Sequence, residues 1–579
     1  MLCLITSLYL INSGNKFLLA SFLHETSKLK RPNVSELISV NFCSSNSSLS
    51  HYHVNYQANN IAFLSAFNVQ SAGDLRMGKV RSHGYENWGN ESHIIKNSKQ
   101  LKTNYHHVAL MQKILLKVTQ KTTLLSNTQF GRTGIVNRFD KLNDLSNGAA
   151  KYKHWYYGPQ SRFIHTLQLK SSLDLMIFDK YAFTVAFQKL KESRHKQKSE
   201  EILLSNRWEK LDIYDVKIDL NKKINTVDLN YGVSSRSQNL KSKANLTNYS
   251  GDSFYQTSRY PDAGSNVLDL SFYTQMYTPI NKKLDFYFGG RFNYNDLKAK
   301  FIDTVVVTLP FSSIRTKNTS FAGSFKTSYK IGEFLKFSGL IYTGFRNPNI
   351  DDVGKIFSKN DQSVVLPNYS LKPEKAINFE YRILAKKLDF YAFSFAIFES
   401  HIKSAIVRKN SKLNNLDSIF YDGTLMQIQM NQNISSAKIR GVDFQINVKL
   451  NSSFFFNGLF QYVRGKTRED VPLSHIPPFN ANGSIDYKKR TATLSCYAFY
   501  NGWKHASEFD LAGIDNFDEA TLEGSPSWYT LNCSYSKKID DQMWFKISLE
   551  NILDTHYKVF ASGISSSGRN LIVSLDFYF

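Results

Sequence analysis

Three observations predict a single all-β transmembrane barrel of about 22 antiparallel strands. The chain carries long runs of strict apolar–polar alternation. Its joints are alternately short and long. No window is apolar enough for a membrane helix. Such a helix needs about 20 nearly uninterrupted apolar residues, whereas the hydrophobic content is 42% and the mean hydropathy −0.35. The 43 Phe and 32 Tyr exclude a disordered chain, which is poor in both. A length of 579 residues suggests several domains. A string of soluble sandwiches would need linkers, however, and no Pro/Ser-rich linker is present.

The strands come first. From Leu284, one face carries Leu284, Phe286, Phe288, Gly290, Phe292 and Tyr294, and the other Asp285, Tyr287, Gly289, Arg291, Asn293 and Asn295. Val442, Phe444, Ile446, Val448 and Leu450 alternate with Gly441, Asp443, Gln445, Asn447 and Lys449. The chain ends on Leu571, Val573, Leu575, Phe577 and Phe579, again every second residue. Side chains of a strand point alternately to opposite faces, so each run has one apolar and one polar face. Runs of about ten residues are long enough for a tilted strand to cross a bilayer.

The joints come second. Short turns such as NKKI at Asn221, PINKK at Pro279, KIGE at Lys330, AKKLD at Ala385 and SYSKKIDDQ at Ser534 alternate with long stretches. The long ones are expected at 234–264, 298–317, 346–375, 409–436 and 502–526. Short turns on one rim and long loops on the other characterise outer-membrane barrels, and an even strand count puts both chain ends on the short-turn rim. Closure leaves no edge strand, which hydrocarbon would not tolerate.

The balance of 72 Lys+Arg against 48 Asp+Glu gives a net charge of +24. Much of it falls as pairs in the short turns, Lys222-Lys223, Lys282-Lys283, Lys386-Lys387, Lys488-Lys489 and Lys537-Lys538. Pairs so dispersed form no nucleic-acid stripe. The four cysteines have no metal-ligand spacing, and Cys496 and Cys533 read as small apolar fillers within strands. The opening MLCLITSLYLI is apolar, but it lacks the positive flank and cleavage site of a signal peptide. No nucleophile elbow, P-loop, zinc-protease or paired-cysteine motif occurs, so no enzyme, cofactor or metal site is expected.

The motifs carry a family resemblance. TGFRNPNIDDVGKIF from Thr343 and VVLPNYSLKPEKAINFEY from Val364 resemble two segments of the TonB-dependent outer-membrane receptors, particularly the Bacteroidetes type. AKIRGVDF at Ala437, PSWYTLN at Pro526, NILDTHY at Asn551 and GRNLIVSLDFYF at Gly568 fit as well. So do SAGDLRMGK at Ser71, NRFDKL at Asn137, WYYGPQSR at Trp155 and ESR at Glu192. The motif residues are Gly344, Phe345, Pro348, Pro367, Asn368, Leu371, Pro373, Glu374, Gly441, Asn551, Asp554 and Tyr557. Each also has a plain structural reading: Pro348 and Pro373 start turns, and Gly441 lets a neighbour pack closely. The resemblance implies residues 36–579 as the receptor barrel and leaves 1–35 unassigned, too short for the family's plug domain and TonB-contacting box. It further implies that the terminal aromatics Phe577 and Phe579 are read by the barrel-assembly machinery.

The function so implied is TonB-energised uptake of a scarce ligand, foremost a ferric siderophore or other iron complex, across a Gram-negative outer membrane. A basic chain suits an anionic cargo. Candidate contacts are Arg346, Asn347, Lys355, Arg291, Trp503 and Arg569. Expected partners are outer-membrane lipid and lipopolysaccharide, the assembly machinery, the iron complex, and the TonB complex with a plug where one is supplied. Alternatives are a haem, haemoprotein or cobalamin receptor, a plug-less passive pore, or an inactive truncated remnant. Haem receptors of the family carry a histidine between the two boxes, whereas Ile350–Pro367 holds none. His83, His93, His154, His475 and His505 fall in or near expected loops and read as solvated.

Overall fold

The computed structural model describes residues 33–89, 93–302, 307–360, 362–387, 390–434, 436–510 and 515–579. The apolar opening run and Cys3 lie outside them. Twenty-two antiparallel strands form one closed barrel, from Asn33–Cys43 to Asn570–Tyr578. These two strands close the ring, with Leu37 opposite Tyr578 and Cys43 opposite Ile572. Glu36 and Phe579 exchange both backbone hydrogen bonds at 3.1 Å, so pairing extends to the last residue.

The expected alternation appears as rows around the wall. Phe183, Ile218, Val233 and Phe272 are exposed side by side on neighbouring strands, and so are Tyr381, Ile397, Val442 and Tyr462. The opposite face is polar and hydrogen-bonded. Asn293 and Asn295 are buried there against Ser271 and Asp269. Apolar outside and polar inside is the arrangement a bilayer demands.

Strands run from 8 residues, Met543–Glu550, to 21, Leu204–Ile224 and Val227–Thr247. The last two pair in register along their whole length and join by a two-residue turn with Asn225 at φ 52°. Residues 234–247, expected as loop, therefore belong to a strand. Above the apolar band a ladder no longer needs an apolar face, so hydrophobic periodicity stops before the strand does. The long-loop rim also includes two short joints, 44–46 and 199–203, which the regular beat did not anticipate.

Buried apolar packing sits in the outer loops rather than in the wall. Strands Phe357–Asn360, Ser363–Leu366, Ile406–Asn410, Ser418–Tyr421 and Thr424–Asn433 form a small accessory sheet, in which Ser363–Leu366 runs parallel to Thr424–Asn433. Val364, Leu366, Met426 and Ile428 are its core, joined by Val307, Ile356, Leu413 and Tyr421. A second cluster, Leu297, Ala299, Phe301, Ile314, Val353 and Leu371, ties this sheet to the barrel mouth.

Cys496 and Cys533 correct the filler reading. They are direct cross-strand partners, 4.3 Å apart at Cα, and form a disulfide on the apolar outer face. Register brought them together across 37 residues, and spacing alone does not show it.

Gly441 has the close contact expected of it. A Cβ at this position would collide with the Phe398 ring and lie 2.8 Å from the Tyr462 carbonyl oxygen. At Gly344, a motif glycine too, a Cβ would meet nothing within 4 Å. Gly441→Ala is expected to cost about 1–3 kcal/mol through displaced packing, whereas Gly344→Ala leaves stability nearly unchanged. Thermal unfolding of the purified barrels checks this, and equal losses in both would contradict it.

Candidate functional site

The site builds from the mouth of the barrel outward. Strand Leu335–Arg346 delivers Arg346 to the lumen side, opposite Glu374. Its Nε donates to the Glu374 carboxylate, and its Nη1 donates to Asp352 Oδ2 at 2.6 Å. Asn349 caps the single helical turn Ile350–Val353. Its side chain accepts from the Asp352 N–H at 3.0 Å, and Asp352 Oδ2 accepts from the Asn349 N–H at 2.9 Å. Such a capping box satisfies the orphan donors of a helix start. Glu374 Oε1 also accepts from the Ile406 N–H at 2.6 Å, which pins the next loop. Arg346 thus acts as a strut between wall and loops.

Asn347 and Arg291 share one network. Asn347 donates to Asn293 Oδ1 at 2.9 Å and accepts from Ser320 Oγ at 3.2 Å. Asn293 and Arg291 both donate to Ser271 Oγ, at 3.0 and 2.7 Å. The Arg291 guanidinium is exposed to the lumen, 5.9 Å from the Tyr273 ring centre.

A cluster of buried and half-buried charges lies beside it. Lys355 is 8% exposed, and its Nζ donates to Asp351 Oδ2 at 2.8 Å. Asp351 Oδ1 accepts from Tyr260 Oη at 2.8 Å and lies 3.7 Å from Arg259 Nη2. Burial opposes ionisation of Asp351, but Lys355 and Arg259 outweigh it and hold its carboxyl at about 2. Burial pulls the Lys355 amine below its ordinary value, against the attraction of Asp351. The cluster continues through Arg207 and Lys196, 3.7 and 3.6 Å from Asp422, and through Arg194, 2.8 Å from Glu192. Six cations, Arg194, Lys196, Arg207, Arg259, Lys355 and Arg408, face five carboxylates, Glu192, Glu209, Asp351, Asp422 and Asp510. Buried N–H groups of Arg194, Arg259 and Arg408 have no hydrogen-bond partner. Of these six the sequence offered Lys355 as a contact and Arg194 only as part of the ESR motif at Glu192. The others come from strands and loops whose convergence leaves no local pattern.

Histidines close the other side of the mouth. His83 and His556, read apart in sequence, meet at 2.9 Å between Nε2 and Nδ1. His556 is fully buried, and its Nε2 lies 2.9 Å from Ser565 Oγ. Burial first, then the Arg81 and His83 charges, press its pKa down to about 3. His83 is therefore not the solvated residue expected of it. Trp88 edges against both rings and donates to the Glu519 carbonyl at 3.0 Å. Trp503 joins this patch, 6.2 Å from the Tyr85 ring and stacked on His505 at 5.8 Å. Tyr85 donates to Glu523 Oε2 at 2.6 Å. Arg569 stands apart: its Nε donates to the Ile552 carbonyl at 2.9 Å and its backbone N–H to Asp554 Oδ1 at 2.8 Å, bracing the last outer loop. Among the described residues no three His, Cys, Asp or Glu converge as metal ligands.

The family description "TonB dependent receptor-like, beta-barrel" matches residues 87–552. The chain belongs to this receptor family. Its members are transport receptors of the Gram-negative outer membrane.

Solved structures agree on the fold. The receptor chain superposes on the copper transporter OprC with a TM-score of 0.75 at 10% identity, covering 96% of this chain and 81% of that one. The siderophore receptor PirA from Acinetobacter baumannii gives 0.71 at 14%, covering 95% and 81%. The FrpB iron transporter from Neisseria meningitidis gives 0.71 at 12%, covering 97% and 83%. Identities this low carry the fold alone. No curated protein matches in sequence.

Within this receptor the family motifs hold loops. Asn551, at φ 46°, donates to the Thr555 and Ser567 carbonyls at 2.8 and 3.1 Å and accepts from the Thr555 N–H. Tyr557 packs on Trp528 at 4.2 Å. Asn368 donates to the Asn431 carbonyl at 2.7 Å, and buried Pro367 and Leu371 flank it. Gly344 and Phe345 lead the strand to buried Pro348, while Pro373 precedes Glu374.

The buried histidine predicts a pH response. His556 is neutral in the folded loop and titrates near 6.5 once released, so released loops bind a proton between pH 6.5 and about 3 that docked loops do not. Docking is fully stabilised above pH 6.5 and loses about 1.4 kcal/mol per pH unit as pH falls through that window. The hydrogen-exchange protection of residues 551–569, taken relative to the intrinsic exchange rate at each pH, should fall accordingly on acidification. His556→Gln should weaken the pH dependence, leaving the part due to His83, whose pKa burial also lowers, and pH-independent protection in the wild type would contradict the prediction.

Proposed function

We propose that this chain is the barrel of an outer-membrane receptor that imports a ferric siderophore or other anionic iron complex, driven by TonB and gated by a plug domain in the lumen. The observation that carries the reading is the cation surplus at the mouth, where Arg194, Arg259 and Arg408 keep buried donors unpaired. A concave, low-dielectric site of one charge sign concentrates ligands of the opposite sign. Guanidinium forks suit the carboxylates and catecholate oxygens that wrap ferric iron. Arg291, exposed in the lumen beside the Asn347 network, offers the next cationic contact along the path. Trp503 and Tyr85 offer rings on which a planar ligand group stacks. Siderophore and iron transporters among the structural neighbours support an iron complex, and the absence of histidine from Ile350–Pro367 argues against haem. Phe577 and the 60% exposed Phe579, on the closing strand, are in position to serve as the assembly signal.

The test is binding of ferric siderophores of graded charge to the purified receptor, followed by tryptophan fluorescence. Anionic complexes should bind more tightly than neutral ones, and added salt should weaken them. Arg259→Ala with Arg408→Ala should weaken binding by at least about tenfold, the scale of one charge-assisted contact. Preference for neutral complexes or haem, or indifference to both substitutions, would overturn the reading. A large, steady, ligand-independent current in planar bilayers would show a passive pore instead.

A further inference from the structure

The outer wall carries a second, unrelated charge feature. Lys191, Lys210 and Lys241 lie directly opposite one another on three adjacent strands, Lys191 across from Lys210 and Lys210 across from Lys241. Like charges in direct cross-strand register destabilise a sheet. Lys189 and Lys243 flank the row, the latter directly opposite exposed Trp208. Among the described residues one carboxylate pairs with any of the five: Asp212, 3.2 Å from Lys210. Among the described residues Lys191, Lys241 and Lys243 have no ion-pair partner, and all three are exposed.

These side chains point to the same face as Phe187, Tyr214 and Leu268, the uppermost row of the apolar band. Lys189 lies 5.6 Å from the Phe187 ring centre. The row therefore stands where hydrocarbon ends on the long-loop side. Another sector of the wall handles cations at the corresponding level differently. There Glu399 accepts from Lys438 and Arg440, Glu508 pairs with Arg464 and Asp470 with Lys466. The lysine row has only Asp212, on Lys210, for internal neutralisation, so the counter-charge for Lys191, Lys241 and Lys243 is to be sought outside the chain, at the height of lipid headgroups.

We infer that Lys191, Lys210, Lys241 and Lys243 form a docking site for the phosphates of a phosphorylated glycolipid in the outer leaflet, with its acyl chains packed on Phe187, Tyr214 and Val216. Phosphate at this level removes the like-charge penalty. Trp208 and Tyr214 supply the amphipathic rings that favour the boundary between headgroup and hydrocarbon. The site lies on the lipid-facing surface, separate from the mouth cluster.

Native mass spectrometry of the full chain in detergent tests this, with bis-phosphorylated lipid A, its dephosphorylated form, and millimolar inorganic phosphate as competitor. The phosphorylated lipid should bind, and the dephosphorylated form at least about tenfold more weakly. Inorganic phosphate should not displace the bound lipid. The variant Lys191→Gln/Lys241→Gln/Lys243→Gln should bind both lipids equally weakly, whereas the Arg triple variant should keep the preference. Equal binding of the two lipids by the wild type would overturn the site, as would full binding by a folded Gln variant. Displacement by inorganic phosphate would do the same. If the Gln variant does not fold, the wild-type comparison of the two lipids still decides.

Discussion

The backbone ladder between the first and last strands is the constraint on which everything else rests. Seven residue pairs, from Leu37–Tyr578 to Cys43–Ile572, turn an open sheet into a ring. In hydrocarbon an unpaired edge exposes a row of N–H and C=O groups, each costing several kcal/mol. Closure removes the edge, and every later feature follows from it. The alternation must place apolar residues outward, the polar face must line a lumen, and the joints must gather on two rims.

On the outer rim the closed ring brings together segments that share no sequence neighbourhood. Loops that would be marginal alone support one another there. The accessory sheet buries Val364, Leu366, Met426 and Ile428, and Arg346 braces it against Glu374 and Asp352. Across the mouth the His83–His556 contact, with Trp88, docks the loop after residue 73 onto the loop after residue 550. The rim is thereby a built layer with its own core. That layer is what allows a charge such as Lys355 to be buried in a hydrogen-bonded pair with half-exposed Asp351 rather than left to water.

The wall meets three environments in sequence, and its charges follow them. Lysine pairs sit in solvated turns on the short-turn rim, where Lys222 reaches Asp179 and Asp174. The middle rows are apolar. Near the long-loop rim cations return on the outward face, in one sector interleaved with carboxylates and in another as a lysine row with Asp212 as its single carboxylate partner among the described residues. The net charge of +24 is therefore the sum of placements with different physical roles.

The amino-acid sequence by itself determined the strands, their two faces, the strand count and the class of the fold. The reason is that a period of two is local: Phe286, Phe288 and Phe292 declare their face within a single segment. The same locality limits what it declares. Strand continuation over 234–247 was hidden because polar ladders above the bilayer carry no apolar beat. Arg346, Asn347 and Lys355 stood out through a local motif, whereas Arg259, Arg408 and Arg207 did not. Nor did the Cys496–Cys533 disulfide or the 473-residue span between His83 and His556. Only the tertiary structure decided these, because register and ring closure, not spacing, set which residues of distant loops and strands come within bonding distance.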